Sequence, residues 1–214
     1  MSKVYLLGLM SLSFLFTVAG RVQALSEFET TYSTTYQVQS SGMKTALLNI
    51  SLTNKLSNVY ADKFSLSVGF TDVEDIKIHD AVGVIDPDII KTENQTTIRF
   101  KFIDRVVGRD KVNRFSVSYQ TKDIAVKNGS SWEINIPQLE TDKGVSDQKI
   151  TLVVPSEFGS PAFITPEPDT ATKNPPATNT SNSYGFEAKT LGNKAISAVF
   201  GLTQFMKFNL VYHL

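Results

Sequence analysis

Thr96-Thr-Ile-Arg-Phe-Lys-Phe-Ile103, then Arg114-Phe-Ser-Val-Ser-Tyr119, then Ser131-Trp-Glu-Ile-Asn-Ile-Pro137 decide the fold class of this sequence. Ile98, Phe100 and Phe102 fall two apart, as do Phe115, Val117 and Tyr119, and again Trp132, Ile134 and Ile136. A strict two-residue apolar period marks a strand with one buried face. Between the runs lie Asp104-Arg-Val-Val-Gly-Arg-Asp-Lys111, too long for a two-residue hairpin, and Asn128-Gly129, a strong turn signal. The stretch Thr96–Pro137 therefore reads as three consecutive strands at the centre of a β-sandwich.

The pattern continues on both sides. Phe28, Thr30, Tyr32, Thr34, Tyr36 and Val38 alternate, Ser40-Ser-Gly42 turns, and Ala46, Leu48, Ile50 and Leu52 alternate back, which predicts a hairpin. Phe64, Leu66, Val68 and Phe70 share a face, and Ile76 and Ile78 follow less regularly. Ala81 to Ile85 is a short apolar run stopped by Pro87, which cannot donate to a ladder. Ile150, Leu152 and Val154 form a strand ended by Pro155. Five of the eight prolines lie between Ser160 and Ser183 among Thr and Asn, which predicts an extended loop or linker with little packed structure. Tyr184, Phe186 and Ala188, then Ile196, Ala198 and Phe200, then Met206 to Leu214 resume the strand period. The apolar ending at Leu214 reads as a chain cut short in mid-strand.

These runs and turns predict an all-β fold, an antiparallel β-sandwich of about ten strands after an N-terminal signal peptide. The expected organisation is a signal peptide over 1–24, a sandwich over 25–160, a Pro/Thr/Asn-rich linker over 161–183, and further strands over 184–214 that complete the sandwich or start a second one. Lys3 followed by the apolar Val4–Ala19, Arg21 and the small-residue site Val22-Gln-Ala24 is a secretory pattern. Sixteen residues rise about 24 Å, short of a hydrocarbon core of roughly 30 Å, so cleavage after Ala24 is the expectation, with an uncleaved anchor as the alternative. The expected location is extracellular or at the cell surface.

Composition narrows function mainly by exclusion. The 214 residues carry 21 basic and 21 acidic side chains and no cysteine. No basic excess exists to hold a phosphate backbone, so nucleic acid is not an expected partner. Without cysteine there is no disulfide framework, thiolate metal site or cysteine nucleophile. His79 and His213 are the only imidazoles, which removes most zinc sites and most Ser-His catalysis. Export without cysteine is commoner among bacterial surface proteins than among secreted animal domains. The sequons at Asn49, Asn94, Asn128 and Asn179 are expected by chance in a chain so rich in Asn, Ser and Thr.

Two features invite a site reading. Carboxylates gather at Asp72-Val-Glu-Asp75, at Asp86-Pro-Asp88 and around Asp104 and Asp110, yet none has the EF-hand spacing, so solvated loop charges are the expectation. Phe28, Tyr32 and Tyr36 could form a glycan-stacking platform, but a spacing of two favours one buried strand face. His79, between Lys77-Ile78 and Asp80, reads as an exposed or edge residue. No catalytic, cofactor-binding or metal residue is assigned, and no cofactor is expected.

Asn54 after an alternating strand, Phe100 and Phe102 before Val106-Val-Gly108, Phe115–Tyr119, Trp132–Pro137, Val153-Val-Pro155 before Phe158-Gly-Ser-Pro161, and Phe200-Gly201 with Gln204 and Phe208–Leu214 together carry a family resemblance. They resemble the N-terminal, non-catalytic β-sandwich region of exported transglutaminase-like proteins from candidate-phyla bacteria. The resemblance implies that a papain-like Cys-His-Asp domain follows elsewhere and that this chain alone is inactive. The expected function is thus a non-catalytic exported module, with a C-terminal transglutaminase-like domain as its implied partner. The alternative is a stand-alone adhesive or carbohydrate-binding sandwich whose partner is a surface protein or a glycan. A hydrolase is the weakest reading, because fold alone supplies no chemistry.

Overall fold

The computed structural model describes residues 26–138, 145–175, 180–192 and 194–201. The signal segment 1–24 and the final strand expected over Met206–Leu214 lie outside the described residues.

The regular secondary structure of the described chain is almost wholly strand. The first hairpin forms as its alternation requires: β1 (Phe28–Val38) pairs antiparallel with β2 (Lys44–Asn54), closed by a turn in which Gly42 adopts φ 85°. The strands β3 (Lys63–Val68), β4 (Val73–His79), β5 (Val84–Ile85), β6 (Asp88–Lys91) and β7 (Thr96–Lys101) follow. Next come β8 (Val112–Thr121), β9 (Ala125–Asn128), β10 (Ser131–Ile136) and β11 (Val145–Pro155). β12 (Phe163–Thr165), β13 (Thr170–Thr172), β14 (Ser181–Glu187), the one-turn helix α1 (Ala188–Leu191) and β15 (Ile196–Phe200) complete it. Five of these strands hold only two to four residues, which is why alternation alone predicts nearer ten.

The strands make three sheets: an eight-stranded sheet in the order β13-β14-β11-β1-β2-β8-β4-β5, a four-stranded sheet β12-β15-β10-β9, and a three-stranded sheet β3-β7-β6. The Thr96–Pro137 stretch is therefore not a contiguous centre. It gives β7 to the three-stranded sheet, β8 to the eight-stranded sheet, and β9 and β10 to the four-stranded sheet. A two-residue period identifies a strand and its buried face but carries no information about its neighbour.

Pairing fixes the faces of the large sheet. Tyr184, Leu152, Tyr36, Ala46 and Tyr119 stand in one cross-strand row and all are buried. The next row, Thr151, Thr35, Leu47 and Ser118, faces away from the core and is short and mainly polar. Both small sheets cover the buried face. Phe64 of β3 and Phe100 of β7 meet Phe115 of β8 at 4.9 and 5.5 Å between ring centroids, and Phe200 of β15 meets Tyr184 of β14 at 5.8 Å. Burial of these aromatic side chains stabilises the fold by roughly 1.5–3 kcal/mol each.

β1 and β11 pair in parallel, from Thr30 beside Val145 to Gln37 beside Val153, and the other strand pairings among the described residues are antiparallel. The Pro-rich segment expected as an unpacked linker contributes β12, which pairs with β15, and β13, which pairs with β14. Pro161 precedes β12, Pro166 and Pro168 lie between β12 and β13, and Pro175 follows β13, so the described prolines of this segment sit outside the strands, where no ladder donor is required. β14 pairs with β11 and β15 with β10, so residues 181–200 are joined to the sheets of the preceding chain.

Asn54 ends β2 buried, and its side-chain amide donates to the carbonyls of Val59 at 3.0 Å and Val106 at 2.8 Å. It ties the loop after β2 to the loop before β8. Asn54→Ala removes both bonds and should cost about 2 kcal/mol in urea unfolding, at about 1 kcal/mol per bond.

Candidate functional site

The acidic cluster at residues 72–75 is occupied by the fold. Asp72 and Glu74 pair with Lys122 at 3.4 and 3.8 Å, and these two carboxylates raise the Lys122 ammonium above its ordinary value. Asp75 accepts from Lys77 at 3.0 Å and from Gln120 at 3.1 Å. Asp123, beside them, accepts the backbone N–H groups of Thr71 and Asp72, each at 3.1 Å. Among the described residues, no three of His, Asp and Glu converge on a point where a metal ion would sit. His79 is exposed at the end of β4, as its polar neighbours suggest.

The first strand gives no glycan platform. Tyr32 and Tyr36 are 8% and 3% exposed, and Phe28 packs half-buried against the core. Burial raises the Tyr36 phenol to about 12, so it stays protonated in any ordinary buffer.

Alternation does not reveal Asp80, which follows β4. Its Oδ1 accepts from the N–H groups of Val82 and Gly83 at 2.9 and 3.0 Å, and its Oδ2 from those of Ile103 and Asp104, both at 3.0 Å. One carboxylate thereby joins the β4–β5 turn to the end of β7. Partial burial pushes its proton affinity up, but the four donors outweigh that and hold it below the ordinary aspartate value. Asp169 is used similarly. Thr190 donates to it at 2.6 Å and the Glu187 N–H at 2.7 Å, and it too lies low. The signal available in sequence was Asp80-Ala-Val-Gly83, an Asp two and three residues before the N–H groups it accepts.

A cleft of about 670 Å³ opens over the three-stranded sheet. Lys63, Phe64 and Ser65 of β3, Arg99, Phe100 and Lys101 of β7, and Asp86 and Asp88 line it. Lys63 stands directly opposite Lys101, and Arg99 lies between Ser65 and Asp88. Like charges directly opposite on neighbouring strands destabilise a sheet. Among the described residues none of these three cations lies within ion-pair distance of a carboxylate. The arrangement offers a carboxylate or other anion three positive groups, with Ser65 as a neutral donor or acceptor, while Asp86 and Asp88 also line the cleft and Asp88 stands directly opposite Arg99.

No family model matches this sequence, and no curated protein does. Solved structures with a related trace include a mutant M1 zinc metallopeptidase from Deinococcus radiodurans, with a TM-score of 0.49 and 9% identity over 82% of this chain and 42% of that one. A protein from Legionella pneumophila described as nutrient binding gives 0.48 and 8% identity over 81% of this chain and 67% of that one. Yeast LTA4 hydrolase in complex with bestatin gives 0.47 and 15% identity over 82% of this chain and 29% of that one. The chain thus spans under half the length of the metallopeptidase, and such scores support no residue-by-residue correspondence.

None of these is a transglutaminase-like protein, and the resemblance to that family is overturned. Those of its residues that the structure describes are strand and turn residues in ordinary structural use. Phe115, Val117 and Tyr119 face the core, Ile134 and Ile136 are buried, and Asn54 ties two loops. Any sandwich with similar core spacing can carry them.

Proposed function

We propose that this chain is a non-catalytic, exported β-sandwich module that acts by binding. The observation behind this reading is the use made of its displaced carboxylates. General acid–base catalysis needs a carboxyl raised towards neutral pH. Asp80, Asp169 and Glu29 move the other way, the first two because they accept hydrogen bonds that join segments of the fold and Glu29 because of its surface partners. Glu29 is lowered first by a hydrogen bond from Ser146 and then by Lys55, 3.4 Å away. Export rests on Lys3, the apolar Val4–Ala19 and the small residues before Leu25. The activities of the metallopeptidase and the hydrolase above stay with those proteins. Purified full-length protein should turn over no chromogenic peptide, ester or glycoside, with or without added zinc. Turnover abolished by a single substitution in this chain would refute the reading.

The cleft favours a second reading, a carbohydrate-binding sandwich whose ligand is an acidic glycan. Lys63, Arg99 and Lys101 would meet the carboxylate of a uronic or sialic acid, with Ser65 at hand for its hydroxyls. Lys101→Ser relieves the opposed lysines and should raise stability by about 0.5 kcal/mol while weakening glycan binding. A glycan array on the purified chain checks this. Binding confined to neutral sugars, or binding indifferent to Lys101→Ser, would exclude the cleft.

A further inference from the structure

We propose that Asn128-Gly129, at the turn between β9 and β10, is a site of spontaneous modification. The Asn128 side-chain amide is converted there to aspartate and isoaspartate, and the conversion loosens the edge strand β9. Ring closure carries the chemistry. The Gly129 backbone nitrogen bonds to Cγ of Asn128, the Cγ–Nδ2 bond breaks, and Nδ2 leaves as ammonia with the proton that Gly129 gives up. Water then opens the resulting succinimide. Attack at Cγ breaks the new N–Cγ bond and yields aspartate. Attack at the backbone carbonyl carbon breaks the original peptide bond and leaves the chain running through the side chain, as isoaspartate. Water is the only co-reactant.

The sequence holds a single Asn-Gly pair. Glycine matters because a side chain on the following residue crowds its nitrogen as it attacks. Space is also open in the folded chain. Among the described residues Asn128 and Gly129 are exposed, and a Cβ at Gly129 would meet no heavy atom beyond its chain neighbours within 4 Å. The β9–β10 register ends at Asn128 opposite Ser131, so the loop is Gly129-Ser130 and the Gly129 N–H lies outside the ladder. Gly129 takes φ 62°, as the first position of a two-residue hairpin loop requires.

Other asparagines lack one or more of these conditions. Asn54, Asn113 and Asn182 are buried. Asn49 sits inside β2, between Ser33 of β1 and Ser116 of β8, and Ile50 follows it. Pro175, after Asn174, has no N–H to give. Asn94 is exposed in the β6–β7 turn, but Gln95 follows it, which makes it the internal control.

Local opening costs little here. β9 has four residues and, among the described residues, pairs only with β10 at the edge of its sheet. Short edge segments open at free energies far below that of global unfolding. Asn128 must leave its extended geometry to bring Cγ to the Gly129 nitrogen, and the bond from its Nδ2 to Glu133 Oε1 is long, at 3.4 Å.

The products act on the same hairpin. Aspartate at 128 sets a carboxylate where the amide had donated to Glu133, and like charges on facing strands weaken a sheet. Isoaspartate adds a carbon to the backbone, and the two-residue loop and the pairing of residue 128 with Ser131 cannot both survive that. Lys127, 5.8 Å from the Trp132 ring, is then displaced, and Trp132 is the only tryptophan in the chain. The turn therefore works as an age-dependent switch on one edge of the four-stranded sheet.

Purified full-length protein, aged at physiological temperature in mildly alkaline buffer, tests this. Mass spectrometry of peptides spanning 128–129 and 94–95 follows each amide and separates aspartate from isoaspartate. Asn128 should convert many times faster than Asn94 and give both products. Modified protein, separated by anion exchange, should show faster amide exchange in β9 and altered Trp132 fluorescence. Conversion no faster than at Asn94 would overturn the proposal, as would aspartate formed without isoaspartate, since that is direct hydrolysis with no ring. Unchanged exchange in β9 of the modified protein would overturn the switch. Asn128→Ser, with no amide to lose, should age without either spectroscopic change, and loosening of β9 in that variant would also overturn it. None of these failures touches the non-catalytic reading, which rests on different residues.

Discussion

Phe100→Ala should destabilise the protein by about 3–5 kcal/mol, the largest single effect expected in this chain. Phe100 is 4% exposed and sits in a cluster with Phe64, Phe102 and Phe115 at centroid separations of 5.8, 5.3 and 5.5 Å. The cluster joins the three-stranded sheet to the eight-stranded one, so truncation both loses buried area and opens a cavity between layers. Of the rings that remain, Phe64 and Phe115 sit within paired strands and can close little of that space. Urea unfolding by intrinsic fluorescence measures it, and a loss under about 1 kcal/mol would mean that the two sheets do not pack through this ring.

Asp80→Ala should cost about 3 kcal/mol at neutral pH, because four backbone N–H groups lose a charged acceptor. The sign of the pH dependence follows from the lowered value. The folded-state pKa lies below the ordinary aspartate value of 3.8, so the stabilisation is complete above that value and is lost as pH falls through the folded one. The gap in urea midpoint between the parent and Asp80→Ala should be constant above about pH 5 and narrow as pH falls below the ordinary aspartate value. The same variant should loosen loops 80–83 and 102–104 together, readable as faster amide exchange at Val82, Gly83, Ile103 and Asp104.

Much of the secondary structure was legible in sequence, for a physical reason. Half-buried strands must alternate, and Tyr32, Tyr36, Leu48, Ile50, Phe115 and Val117 declare both their strand and their face. The β1–β2 hairpin was legible as well, because Ser40-Ser-Gly42 leaves the chain no room to go elsewhere. Which sheet each later strand joins was not. β7 and β8 have the same alternation and lie in different sheets, and the ten residues between them are long enough to cross. The parallel pairing of β1 with β11 joins residues more than a hundred positions apart, beyond the reach of any local pattern. β12 and β13 hold three residues each, too few to display a period.

The candidate sites divide in the same way. The carboxylates of residues 72–75 pair with nearby surface lysines, and His79 is an exposed residue at the end of β4. The cleft could not be read from sequence, since Lys63 and Lys101 come together only through the register of β3 with β7. Asp80 looks like one more loop aspartate until the end of β7 is placed beside it.

Among the described residues, Asp80, Asp169 and Glu29 are the carboxylates held below their ordinary values, and each accepts hydrogen bonds or an ion pair from its neighbours. Carbon-detected NMR titration of every Asp and Glu side chain, from acid to neutral pH, tests it most directly. Asp80, Asp169 and Glu29 should titrate below their ordinary values. A carboxyl that titrates near neutral pH, or an Asp80 that titrates as a free aspartate does, would contradict it.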